Sequence, residues 1–320
     1  MPLLRWPTEV IGTVGNDLFQ AAENTVYFGR SGDDTFYATT GVPSEAATPG
    51  DPLFIGGTGN DKYVIANQSD ALIADGGDSA ADVLVATGLG GPNTYFATID
   101  GRHLVAGDLT TRQAFILLDW LQQANRIETF VLANGTFSFA QFQSLVFSSP
   151  HYGGNLPWEL VISPYTTADA NEAIDFYTSR SAFLETKHPS VATPANANVN
   201  LVHDVSVAAS TLFSVSDPDG DTIQKYEFWD GGASGGYFSA SGAPQPANAA
   251  IPVAAGDLAG VSWVAGKTPA VETVYVRAYD GIDWSAWASW TMTTLSRAPT
   301  VTPTAAEVLA PTGQAVSAST

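Results

Sequence analysis

The sequence predicts an all-β chain of several units, and three observations carry that prediction. Four short glycine- and aspartate-rich segments recur between residues 12 and 84, each ending in Asp-x-apolar. Hairpin dipeptides punctuate residues 92 to 148. From about residue 188 the composition turns to Val, Thr, Ser and Ala with Pro and Gly at turns, which suits the short strands of a sandwich. A length of 320 residues is enough for two or three domains, each with its own core.

The four segments are Gly12-Thr-Val-Gly-Asn-Asp17-Leu-Phe19, Gly29-Arg-Ser-Gly-Asp-Asp34-Thr-Phe36, Gly56-Gly-Thr-Gly-Asn-Asp61-Lys-Tyr63 and a looser Gly76-Gly-Asp-Ser-Ala-Ala-Asp82-Val-Leu84. Their starts are spaced by roughly two or three nonapeptides. In a GGxGxDxUx pattern the glycines allow loop conformations that turn carbonyls inward, the aspartate adds a charged oxygen, and the apolar residue points into a core. Thr13 and Arg30 stand where the pattern has its second glycine, and residues 38 to 55 interrupt the series.

The charge balance gives those aspartates a context. Acidic residues number 32 against 12 basic ones, a formal charge of -20, so nucleic acid and anionic lipid surfaces are poor partners. Many carboxylates have no Lys or Arg to pair with and must be solvated, protonated or bound to a cation, with calcium the obvious extracellular one. Without cysteine there is neither a disulfide framework nor a thiolate metal site. No stretch approaches the roughly 20 apolar residues of a membrane span. Met1 to Val10 lacks the apolar centre of a cleavable secretion signal, so any export is expected to use another signal or one outside this chain.

On these residues, 11 to 86 resemble the RTX, or haemolysin-type calcium-binding, repeats of proteins exported by type I secretion. The run Gly56 to Leu84 is the most specific part, with a non-liganding half-turn at Asn67 to Ile73. The resemblance implies a short parallel β-roll over residues 1–90 that folds on binding Ca2+. It implies ligands from loop positions Gly12, Val14 and Asn16, Gly29, Ser31 and Asp33, and Gly56, Thr58 and Asn60. The sixth-position carboxylates Asp17, Asp34, Asp61 and Asp82 complete the set.

Residues 91–148 read as strands and tight turns, with Asp100-Gly101 and Asn134-Gly135 the strongest hairpin signals. The stretch from Ile116 to Thr136 resembles the β-rich domain that caps such arrays, covering their last exposed turn. Asp108, Asp119 and Glu128 are expected in surface or turn roles, and His103, His151, His188 and His203, isolated and without zinc-ligand spacing, at the surface. Residues 149–187 read as a connector with one short helix.

The sandwich is placed at 188–297. Thr273 to Tyr279 alternates with Val274, Val276 and Ala278 on one face. Ala298 to Thr320 repeats the pattern of His188 to Thr211, so 298–320 reads as the start of a second, truncated copy. Asp217, Asp219 and Asp221 crowd one turn, where like charges call for a cation. Their motif resembles the acidic loops of bacterial cadherin-like domains, which implies Asp280 as a further ligand. Trp284, Trp287 and Trp290, placed on one strand, would put Trp287 on the face opposite the other two, so packing outweighs a glycan platform.

The expected function is a secreted or bacterial cell-surface calcium-binding structural or adhesin-type module, with cell-surface or extracellular glycan or protein ligands as candidate partners. The competing reading is the accessory region of a secreted hydrolase or polysaccharide-modifying enzyme. No GxSxG elbow or HExxH helix appears, so on that reading the catalytic domain lies outside this chain, which is itself not an enzyme.

Overall fold

A computed structural model describes residues 6–39, 51–77, 81–152, 170–171, 173–232 and 235–297. The second sandwich copy expected at 298–320, much of the 149–187 connector, Asp78 and most of the interruption at 38–55 lie outside the described residues. The chain divides into two compact units, Met1–His188 and Pro189–Thr320.

The first unit is a parallel β-roll. Its strands alternate between two sheets: β1 (Thr8–Ile11), β2 (Leu18–Gln20), β3 (Thr25–Ser31), β4 (Thr35–Ala38), β5 (Leu53–Thr58), β6 (Lys62–Ile65), β7 (Leu72–Ala74) and β8 (Val83–Ala86). A hairpin of β9 (Thr94–Ile99) and β10 (His103–Asp108) follows, then β11 (Ala114–Leu117), β12 (Thr129–Leu132) and β13 (Gly135–Ser138). One sheet runs β1-β3-β5-β7-β11-β10-β9 and the other β13-β12-β8-β6-β4-β2. The pairings from β1 to β7 and from β2 to β8 are parallel, and β11 and β12 add parallel to β7 and β8. The segment read as a cap therefore contributes a fifth coil before it closes the stack with antiparallel strands.

The Asp-x-apolar signature sets the register. Phe19, Phe36, Tyr63, Leu84 and Phe130 are aligned across successive strands and all point inward. Phe19 stacks on Phe36 at 4.9 Å between ring centroids, and Phe36 on Tyr63 at 5.2 Å. Such pairs add roughly 0.5–1.5 kcal/mol beyond area burial.

Sequence reasoning read 92 to 148 as strands and turns and missed α1 (Phe139–Ser148). Ser138 caps it, and Gln141 completes a capping box by reaching back to the Ser138 N–H. Phe142 stacks on Phe130 at 3.8 Å, and α1 thereby packs beneath the last coil. The hairpin at Asp100-Gly101 is present, both residues having positive φ as a type I′ turn requires.

The connector is more than a tether. Its helical stretch, Ala173–Thr178 running into Ser179–Glu185, packs on β3 and β5. These strands are buried on both faces, so their outer side needs a cover. Tyr177 supplies part of it, meeting Trp6 edge-on at 5.5 Å and donating its hydroxyl hydrogen to the Trp6 carbonyl at 3.2 Å.

The second unit is a β-sandwich. A five-stranded sheet, ordered Asn198–Val202, Ala288–Leu295, Ala270–Tyr279, Lys225–Asp230 and Ala250–Ala254, accompanies a four-stranded one and a short pair. Val274, Val276 and Ala278 face the core with Phe228, Phe238, Trp263 and Trp290. Trp284 precedes the last strand, so strand alternation does not govern it. Instead Trp284 and Trp287 flank the Arg277 guanidinium at 4.4 and 4.6 Å, while Trp290 is core.

Candidate metal centre

The first four passages from the first sheet of the roll to the second are the glycine-aspartate loops, and parallel pairing stacks them in register. Following the strand pairings into the loops, by one residue or, at β11, two, puts Gly12, Gly29, Gly56, Asp75 and Asp119 in one column. The same step puts Asp17, Asp34, Asp61, Asp82 and Glu128 in another.

The second column is an interlocked ladder. Asp17 donates its backbone N–H to Asp34 Oδ1 at 2.7 Å, Asp34 to Asp61 Oδ1 at 2.9 Å, Asp61 to Asp82 Oδ1 at 2.7 Å, and Asp82 to Glu128 Oε2 at 3.2 Å. One oxygen of each acid thus closes the preceding loop. The other is left over: Asp34 Oδ2 and Asp61 Oδ2 are buried and accept no hydrogen bond. A buried carboxylate oxygen without a partner is costly unless it is protonated or meets a cation.

The surroundings raise that cost. Burial pushes the Asp34 carboxyl up to about 8, against the pull of the Asp17 N–H, and the charges of Asp61, Asp17 and Glu185 add to the rise. Asp61 is pushed up to about 7 by burial, with Asp82, Asp33 and Glu185 adding to it. Asp75 is raised by burial first and by the Asp82 charge second.

Glycine is required where these oxygens converge. A Cβ on Gly29 would lie 2.3 Å from Asp34 Oδ2 and 2.2 Å from the Gly56 carbonyl oxygen. On Gly56 it would lie 2.2 Å from Asp61 Oδ2. Asp61, Asp75 and Asp82, all buried, each place one oxygen within 4.8 Å of the others. An all-oxygen set of this kind suits a hard divalent cation and fits neither a soft metal nor a thiolate site.

The structure sorts the remaining predicted ligands. Asn16, Asp33 and Asn60 form a second, exposed ladder: Asn16 Oδ1 accepts the Asp33 N–H at 3.0 Å, and Asp33 Oδ1 accepts the Asn60 N–H at 2.9 Å. Their side chains hold the rim of the loops together. Val14 is exposed, Ser31 pairs with Thr58 across β3 and β5, and the Thr58 carbonyl accepts the Gly32 N–H at 2.9 Å.

Asp75, Asp119 and Glu128 were missed as members of the stack. Asp75 sits one residue ahead of Gly76-Gly77, from which the fourth segment was counted, and its Oδ1 accepts the Tyr63 hydroxyl at 2.8 Å. Glu128 does carry the acid-x-apolar signature, with Phe130, but is separated from Asp119 by a longer loop. Asp119 is ion-paired with Arg102 at 2.6 Å, and its N–H is donated to His103 Nδ1 at 3.0 Å. His103 is fully buried, which corrects its expected surface position, and burial lowers its basicity. Asp108 holds a turn through the N–H groups of Thr110 and Thr111.

In the sandwich, Asp217, Asp219 and Asp221 also bring one oxygen each within 4.8 Å of one another. Asp217 Oδ1 accepts the N–H groups of Asp219 and Asp221, both at 2.9 Å, while its Oδ2 is buried and accepts none. Asp280 is not a member of that cluster. Its Oδ1 accepts the N–H groups of Ile282 and Asp283 at 2.8 and 2.7 Å and closes its own turn.

No family model and no curated protein matches the chain. Among solved structures, a nucleoside hydrolase-related hypothetical protein from Saccharophagus degradans, associated with carbohydrate metabolism, is similar at 14% identity and a TM-score of 0.22. The match covers 50% of this chain and 38% of that one. A likeness at this level carries no argument about function.

Proposed function

We propose that the chain is a secreted or cell-surface calcium-binding module of the RTX kind, whose β-roll is completed by Ca2+ held between stacked loops. The roll and sandwich then serve as rigid extensions in an adhesin-type protein. The observation that carries this reading is the pair of buried, unpartnered oxygens, Asp34 Oδ2 and Asp61 Oδ2, set among glycine loops in which a side chain would collide with other oxygens. Asp61, Asp75 and Asp82 would hold an ion between the third and fourth coils, and Asp34 with Asp61 one between the second and third.

Extracellular modules bind calcium at about 0.1 to 1 mM, far above the free concentration in a cytosol. Such a roll stays open before export and closes outside the cell. Far-ultraviolet circular dichroism across a calcium titration tests this, with a gain of strand signal between chelator and millimolar calcium as the expected result. A spectrum that does not change refutes the proposal. Asp61→Ala is expected to weaken the transition about tenfold or more. Asp70→Ala, on the opposite turn of the coil, is expected to shift it far less.

A further inference from the structure

We infer that Thr13 and Arg30 replace a calcium ion at the junction of the first two coils, so that the roll binds calcium only from its second coil onward. The inference rests on the calcium reading above and concerns which junctions need the ion.

The strand register aligns the second loop position across coils as Thr13, Arg30, Gly57 and Gly76. Asp34 and Asp61, the sixth-position acids of the second and third coils, each keep an unpartnered buried oxygen. In the first coil the corresponding oxygen is already used: Asp17 Oδ2 accepts the Thr13 N–H at 2.6 Å and the Thr13 hydroxyl at 3.0 Å. A threonine thus supplies from the protein what a cation would otherwise supply.

Arg30 supplies the positive charge. It is fully buried and has φ of 74°, in the region that Gly57 (99°) and Gly76 (80°) also occupy. A side-chain-bearing residue adopts that backbone reluctantly, so something must hold it there. Among the described residues its guanidinium donates to three carbonyl oxygens, those of Gly12 in the first loop at 3.4 Å, Leu184 at 3.2 Å and Lys187 at 2.6 Å. A fixed cation inside a cage of carbonyls is the arrangement a bound metal would create, and a divalent ion brought beside it would be repelled. Because two of the three carbonyls come from the end of the docked helical stretch, the same side chain ties that stretch to the roll.

Calcium bound per folded chain, counted by native mass spectrometry and by calorimetric titration with calcium alone, tests the inference. Thr13→Gly/Arg30→Gly restores the pattern, and glycine accepts the backbone at position 30 without strain. This variant should bind one more calcium ion than the natural chain and show a larger gain in melting temperature on adding calcium. Arg30→Lys keeps the charge and should bind the natural number. An unchanged count in the double variant overturns the inference, and so does failure of that variant to fold at any calcium concentration. No binding by the natural chain refutes the calcium reading itself, and this inference with it.

Discussion

The two oxygens of each loop carboxylate do different work, and the division explains how acidity should act on the roll. Oδ1 of Asp34 and of Asp61 is committed to a backbone N–H, while Oδ2 depends on a proton or a cation. Burial holds these carboxyls protonated to about pH 8 and pH 7, against an ordinary value of 3.8. Between about pH 4 and pH 8 the calcium-free fold therefore keeps protons that the unfolded chain has released, and its stability falls as pH rises through that window. On the proposed reading calcium would displace the same protons, so its affinity should rise over the same range. Chemical denaturation at pH 5 and pH 8, with chelator and with calcium, checks both signs, and a calcium-free chain more stable at pH 8 contradicts them. The sixth-position acids were legible in the sequence because each is tied to an inward aromatic or aliphatic residue two places on. Asp75 was not, since nothing local shows that it falls in the column glycines occupy elsewhere.

At the scale of elements, the roll packs the inward rows of its two sheets against each other, and the second sheet's row carries the Asp-x-apolar residues. Phe36 lies second in the row of Asp-x-apolar residues, fully buried, with stacked rings on both sides and Phe54 tilted against it at 5.2 Å. Phe36→Ala should cost about 3–5 kcal/mol, read as a lower denaturation midpoint in calcium. A loss below about 1 kcal/mol would mean that the stack collapses to fill the space. Strand periodicity made this row readable in advance. The α1 helix was hidden by the Asn134-Gly135 hairpin signal just before it, although Ser138-x-x-Gln141 followed by Phe142, Leu145 and Val146 is a helix start with its buried face. The docking of residues 173–185 was not readable at all, because it depends on β3 and β5 being buried on both sides.

For the whole molecule, the division between His188 and Pro189 separates two cores built on different principles. In the sandwich, polar groups are satisfied largely by antiparallel ladders around Trp263 and Phe228, and its all-β character was visible in strand alternation. In the roll the loops are completed by their neighbours along the stack. The fifth coil went unseen because a hairpin, β9 and β10, is inserted before it and breaks the spacing. Its presence gives the ladder a direction: each N–H is received by the acid of the following coil, from Asp17 through to Glu128. If that direction also orders assembly, the stack would nucleate at the Glu128 end and zip toward Thr8. Glu128→Ala should slow refolding severalfold, whereas Asp17→Ala should chiefly hasten unfolding, and stopped-flow traces with the opposite partition would reverse the order. Under the proposed export that polarity would act as a clock, since the front of the roll would have no template to close upon until its rear had emerged.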